Sequence, residues 1–90
     1  MPNPSKATPG TTGWNYRVFK KACPETGEVY YEIHETYYDA RHKASAWTVD
    51  PLAPCGASLA DLRWDLRAML KALERPVLVD KGGYCAETDR

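Results

Sequence analysis

The sequence predicts an α+β domain of two layers, in which one helix packs on one face of a three- to four-stranded, mainly antiparallel sheet. Three observations support this class: two β-type segments flank a proline–glycine turn, a later segment repeats leucine at helical spacing, and the elements follow in the order β-β-β-α-β. Elements in this order bury their apolar faces most simply as a sheet with a helix across it. We expect a single domain over residues 14–79, with a flexible N-terminal arm at 1–13 and a flexible tail at 80–90.

The first two strands carry the clearest β pattern. Residues 14–21 (WNYRVFKK) alternate in residue types that suit a pleated surface. Pro24 presets its own φ and Gly27 is free to take a positive φ, so the chain turns between these two residues. The second strand covers residues 28–38, and its predicted core face carries Val29, Tyr31, Ile33 and Tyr37.

The next elements are a polar turn at residues 39–43, a short third strand at 44–49 and a helix. Pro51 and Pro54 cannot lie in a central strand, so they mark the crossing from sheet to helix. Ser58 is the predicted N-cap. The segment 77–79 (VLV) is long enough for a last strand, and a right-handed crossover would place it beside the first strand in the order 4-1-2-3. The residues alone leave open whether it joins the sheet.

The spacing of apolar residues in the helical segment predicts one face in the core and a second, exposed face. Its apolar stripe consists of Leu59, Leu62, Leu66, Met69, Leu70 and Leu73, and we expect this stripe to face the sheet. Trp64 lies nearly opposite the stripe at 100° per residue, so it can be covered by its own chain or can contact a partner. The residues expected to share this candidate partner interface are Ala57, Ala60, Trp64, Ala68 and Lys71.

The outer face of the sheet offers a second candidate surface. Aromatic rings beside a basic group could stack on the bases of single-stranded RNA. Glu32 interrupts this face and the formal net charge is zero, so a plain half-exposed sheet face is the preferred interpretation. The residues of this secondary surface are Arg17, Tyr30, His34 and Tyr38.

Other function classes find little support in the sequence. The three cysteines, at positions 23, 55 and 85, form no CxxC pair, which favours free thiols in a reducing compartment and leaves their roles open. The two histidines lie in no metal-binding or catalytic pattern, and no phosphate-binding loop or dinucleotide fingerprint is present. We therefore expect no catalytic residue, no cofactor and no metal. The short apolar runs and the polar start predict a cytoplasmic protein without a membrane span.

Several segments resemble a known group of proteins. WNYRVF, YYEIHETYYD, WTVDP and SLADLRWDLRAMLKALERPVL together resemble small bacterial proteins of unassigned function over roughly residues 14–79. A more distant likeness is to the N-terminal domain of HicB-type antitoxins, whose Leu-Pro-Gly-Cys turn is loosely similar to LAPCG at residues 52–56. The second resemblance implies neutralisation of an RNase toxin.

These features together predict a small, non-enzymatic interaction module. Its expected partner is another protein or a second copy of itself, bound through the Trp64 face of the helix or an exposed sheet edge. A HicB-like antitoxin domain and a single-stranded RNA-binding module are the alternatives, although the zero net charge argues against nucleic acid.

Overall fold

A computed structural model describes residues 13–89, and it confirms the predicted α+β class. The predicted N-terminal arm lies outside the described residues except for Gly13, which begins the first strand. Within the described part of the chain, no helix has the length and apolar character that a membrane span needs. The elements are β1 (Gly13–Ala22), β2 (Val29–Tyr38), β3 (Ala44–Trp47), α1 (Leu59–Ala72), β4 (Val77–Asp80) and β5 (Cys85–Thr88).

The strands form one sheet in the order β3-β2-β1-β4-β5. The first four strands therefore have the predicted order, and β4 lies parallel to β1 where Phe19 pairs with Leu78. The sheet has one strand more than the three or four predicted, because β5, in the segment expected to be a flexible tail, pairs antiparallel with β4. Gly82 and Gly83 adopt φ of 83° and 104°, which lets the chain reverse between these two strands. This glycine pair, which lies in the segment predicted as a flexible tail, thus forms a hairpin turn.

The two turns of the long hairpins use different devices. Gly27 has φ of 75° and donates a backbone hydrogen bond to Cys23 at 2.7 Å, as the proline–glycine turn predicts. The turn between β2 and β3 has no glycine, and His42 takes φ of 60° instead. Asp39 accepts hydrogen bonds from the N–H groups of Arg41 and Lys43, and these bonds hold the pKa of the Asp39 carboxyl below its usual range. The side chain of Asp39 therefore ties this turn together without glycine.

Helix α1 packs on the sheet with a face that differs from the predicted one. Ser58 caps the helix as expected, accepting from the N–H of Asp61 at 3.1 Å. The buried helix residues are Asp65, Met69 and Ala72. Four leucines of the predicted core stripe are exposed instead: Leu59 by 81%, Leu66 by 49%, Leu70 by 64% and Leu73 by 48%.

The sizes of the opposing side chains explain this rotation. The sheet presents Trp14 and Tyr16 to the helix, and the small side chains Ala68 and Ala72 pack on that face. Leucines at those positions would hold the helix farther from the two rings. Asp65 fixes the same rotation, because it accepts a hydrogen bond from the hydroxyl of Tyr16.

The opposite face of the sheet is also buried near its centre, which corrects the prediction of a half-exposed surface. Phe19 and His34 are fully buried, with their rings 5.2 Å apart, and Trp47 covers Phe19 at 5.5 Å. Of the four residues predicted for this secondary surface, Arg17 and His34 are buried, Tyr38 is half-buried and Tyr30 is exposed. The strand alternation was right, but a ring from β3 covers the face that we expected to meet solvent.

The connection between β3 and α1 passes very close to the backbone of the helix at Gly56. A β-carbon added at Gly56 would lie 2.4 Å from the backbone nitrogen of Leu62 and 2.7 Å from the carbonyl carbon of Asp61. Since both atoms belong to the backbone, Gly56→Ala should lower the free energy of unfolding by about 1–3 kcal/mol, as measured by urea denaturation. Gly13→Ala is the matched control, because its β-carbon would meet nothing within 4 Å. Equal stability of the two variants would contradict this close approach.

Candidate binding cleft

An open cleft of about 340 Å³ lies between the start of β1 and one flank of α1. Its walls come from two elements far apart in sequence, the first residues of the sheet and the middle of the helix. It also includes Arg75, which follows the helix. The lining residues are Trp14, Asn15, Tyr16, Trp64, Arg67, Ala68, Lys71 and Arg75.

Aromatic rings form the apolar part of the cleft. Trp14 and Tyr16 lie on the same face of β1, with ring centroids 5.2 Å apart and planes at 82°, an edge-to-face arrangement. Trp64 lines the same cleft from the helix side and is 37% exposed. Ala68 lines the cleft between the two elements and packs against the core. An apolar or aromatic group of a ligand can therefore contact two indoles in one place.

Three basic side chains lie beside these rings, on the helix side of the cleft. Arg67 and Lys71 lie one turn apart on α1, and both side chains are exposed. Neither makes an ion pair with another residue in the range 13–89. The residues that line the cleft in the described chain include three cations and no carboxylate. The exposed edge of the cleft therefore carries positive charge, although the formal net charge of the whole chain is zero and the carboxylates of Asp65 and Glu35 lie behind the Tyr16 wall.

A buried carboxylate behind the cleft holds its aromatic wall in position. Asp65 accepts from the hydroxyl of Tyr16 with one oxygen and from the backbone N–H of Cys55, at 2.9 Å, with the other. Burial, together with the hydrogen bond to Asp65, raises the pKa of Tyr16 above its usual value. Tyr16 therefore keeps its proton and remains a donor to Asp65. This hydrogen bond holds the ring of Tyr16, which packs against Trp14 and lines the cleft.

A second carboxylate lies beside Tyr16 on the next strand. Glu35 pairs with Tyr16 across β1 and β2, and it is 3% exposed. The hydroxyl of Tyr37 donates to Glu35 at 2.5 Å. Burial, the main cause, and this hydrogen bond, the second cause, raise the pKa of Tyr37 to about 12. Neither Glu35 nor Asp65 is among the residues that line the cleft. Asp65 contacts its wall through Tyr16, whereas Tyr37, the hydrogen-bond partner of Glu35, lies outside the lining.

No protein-family model, curated protein or solved structure matches this chain. The resemblances drawn from the sequence therefore remain predictions. What the cleft can bind follows from the side chains that line it.

Part of the predicted partner interface coincides with this cleft. Trp64, Ala68 and Lys71 come together in it, whereas Ala57 and Ala60 are exposed outside it. Trp64 lies on the flank of the buried helix face, because the helix is rotated so that its neighbour Asp65 points inward. Three further lining residues, Trp14, Arg67 and Arg75, were not predicted as part of an interface. Trp14 alternates with Tyr16 and Val18 on the face of β1 that the helix covers. This alternation could have predicted that Trp14 lies near a tryptophan of the helix.

Residues 13–89 contain no cluster of side chains suited to metal binding, and their three cysteines form no disulfide. Among residues 13–89, no group of three or more His, Cys, Asp or Glu side chains could hold a metal ion. The three cysteines are free thiols. A hydrogen bond with Thr26 lowers the pKa of the Cys23 thiol, and burial raises that of Cys85. The three thiols thus lie in different environments, and none lines the cleft.

Proposed function

We propose that this protein is a small interaction module that binds a segment of another protein in the cleft between β1 and α1. The observation that supports this proposal is the meeting of two tryptophans and three cations in one open cleft. Tryptophan and arginine are the residues that most often dominate the binding energy of protein interfaces. The partial exposure of Trp64 leaves its ring available for such a contact.

The chemistry of the cleft indicates the kind of segment that it accepts. A volume of about 340 Å³ is at the small end of ligand sites, so it fits one large side chain and its neighbours. The indoles favour an aromatic or leucine side chain there. The cations at Arg67 and Lys71 favour Asp or Glu beside it, with an attraction that weakens as salt is added. We therefore propose an acidic segment with one apolar anchor.

Single-stranded RNA is the competing ligand, since bases stack on indoles and phosphates pair with the same cations. A protein that binds a strand along its length needs a basic groove that follows the backbone. The cations at this cleft follow one another at four-residue intervals, in a row of only about 12 Å beside an apolar wall, which is shorter than the roughly 4 nucleotides or more that a strand-binding groove covers. This arrangement supports the acidic peptide more than the strand.

The proposal predicts a defined outcome for peptide selection. A displayed library of random peptides should yield sequences with one aromatic or leucine residue flanked by Asp or Glu. Trp64→Ala should weaken binding of these peptides by about 30-fold or more, as loss of a buried anchor does. Lys71→Glu should weaken it as well, whereas Lys81→Glu, in the exposed turn between β4 and β5, should not.

Two results would contradict the proposal. Unchanged peptide binding by Trp64→Ala, in a variant shown to be folded by circular dichroism, would mean that the cleft is not the site. Tighter binding of a mixed-sequence RNA oligonucleotide than of any selected peptide, lost in the same variant, would assign the cleft to single-stranded RNA instead. Lys71→Glu replaces an exposed side chain, so it tests the cleft even if Trp64→Ala is unstable.

A further inference from the structure

One side of α1 carries an exposed apolar surface that the cleft does not use. Leu59, Leu66, Leu70 and Leu73, which we call the leucine face, are each exposed by 48% or more. Single exposed leucines are ordinary in monomeric proteins, but contiguous apolar patches usually mark interaction sites. At 100° per residue these four positions fall within a sector of about 60°. They therefore form one continuous strip along the helix.

The leucine face is separate from both the core and the cleft. The buried residues Asp65, Met69 and Ala72 lie about 100° away from it around the helix. Trp64 lies on the far side of that buried face. A molecule on the leucine face and a ligand in the cleft can therefore bind at the same time.

Two opposite charges border the leucine face on the same flank. Arg63 and Glu74 are eleven residues apart, about three turns, so they lie on the same flank of the axis, with Glu74 in the tighter turn that follows the C-cap. Both are exposed, and neither side chain makes an ion pair with any other residue that the structure describes. Glu74 follows the C-cap Leu73, at the helix end where a negative charge is unfavourable. Within one chain this flank therefore carries its charges without compensation.

We propose that the leucine face binds a second copy of this chain through an antiparallel contact between the two α1 helices. A two-fold axis keeps the same flank of both helices on one side and reverses their direction. Arg63 of each copy then lies opposite Glu74 of the other, which forms two equivalent ion pairs. The same arrangement brings Leu66 of each copy against Leu70 of the other.

The charges also determine the register of this contact. An antiparallel contact centred on Leu66 would pair Leu59 with Leu73, but it would place Arg63 close to Arg67 of the other copy. The centre that pairs Arg63 with Glu74 lies about two residues further along the helix and leaves Leu59 at the edge. Leu59 therefore contributes little, although it is the most exposed of the four leucines.

The size of the helix predicts a weak dimer. A contact formed by a helix of 14 residues is smaller than a standard protein interface. We expect a monomer–dimer equilibrium between roughly micromolar and millimolar concentration, measured by sedimentation equilibrium on the full chain. This inference does not rest on the proposed function of the cleft, and Trp64→Ala should dimerise as the wild type does.

Four substitutions test the contact. Leu70→Lys should raise the dimer dissociation constant tenfold or more, whereas the matched control Leu59→Lys should change it less than threefold. Arg63→Glu and Glu74→Arg should each weaken the dimer, and the double variant that carries both should recover most of the wild-type affinity. Circular dichroism and the thermal midpoint should remain near wild type for all four, because every substituted side chain is exposed.

Three results would overturn the inference. The first is a wild-type chain that stays monomeric up to about 1 mM. The second is a failure of the double charge variant to recover affinity, which would remove the Arg63–Glu74 pairing. The third is loss of the fold in Leu70→Lys, or an equal effect of Leu59→Lys, since either would mean that the leucine face or its register differs from the one proposed.

Discussion

Asp65→Ala should lower the free energy of unfolding by about 3–5 kcal/mol, a large part of the stability of a chain this small. The carboxylate is 6% exposed and accepts from Tyr16 and from the backbone of Cys55. Alanine would leave the hydroxyl of buried Tyr16 without an acceptor and would remove the part-buried bond to the Cys55 N–H, and hydrogen bonds to a charged group contribute about 1.5–3 kcal/mol each. Urea denaturation followed by tryptophan fluorescence measures the loss.

Control substitutions distinguish the loss of the buried Asp65 carboxylate from the loss of any acidic side chain of the helix. Asp61→Ala removes an exposed acid of the same helix and should cost less than about 1 kcal/mol. Asp65→Asn keeps one acceptor oxygen and should fall between the two. A double-mutant cycle with Tyr16→Phe should show strong coupling between positions 16 and 65. If Asp65→Ala were no less stable than Asp61→Ala, the hydrogen bonds behind the cleft would not contribute to stability.

Met69→Ala should destabilise the protein far more than Leu66→Ala. Met69 is 6% exposed and belongs to the core, so its truncation should cost about 2–5 kcal/mol. Leu66 is 49% exposed, and its truncation should cost less than about 1 kcal/mol. Both variants are measured by urea denaturation at low micromolar concentration, where the monomer dominates. A larger loss for Leu66→Ala would return the leucine stripe to the core, as its spacing alone predicts.

The rotation of the helix shows where hydrophobic spacing stops being informative. Spacing located the helix and its Ser58 cap, because leucines recur at helical intervals and a hydroxyl precedes them. It located the buried face only in part, with Met69 buried as predicted, because a pattern of apolar residues counts Asp65 as polar and Ala72 as weakly apolar. In the fold, Asp65 satisfies a buried donor and Ala72 lets the helix approach two large rings. Both roles depend on what lies opposite, which a single helix does not encode.

The sheet was predicted more fully than the cleft. Alternation and turn residues located the first hairpin, and the handedness of the crossover placed β4 beside β1. The pair Gly82-Gly83 suits a break or a hairpin turn equally, so β5 was missed. The helical wheel separated Trp64 and Lys71 from the leucines, but the approach of Trp14 depends on the helix rotation. The cleft therefore required the three-dimensional packing of β1 against α1.

β1 lies between two strands that are synthesised at different times, so the sheet cannot close around it until both have left the ribosome. One side of β1 is paired by β2, the next strand to be synthesised, whereas the other side is paired by β4. The pairing of Phe19 with Leu78 spans 59 residues of chain, which take about 3–12 s to translate at 5–20 residues per second. During that interval the nascent hairpin exposes one side of its first strand, with no later strand yet made to cover it.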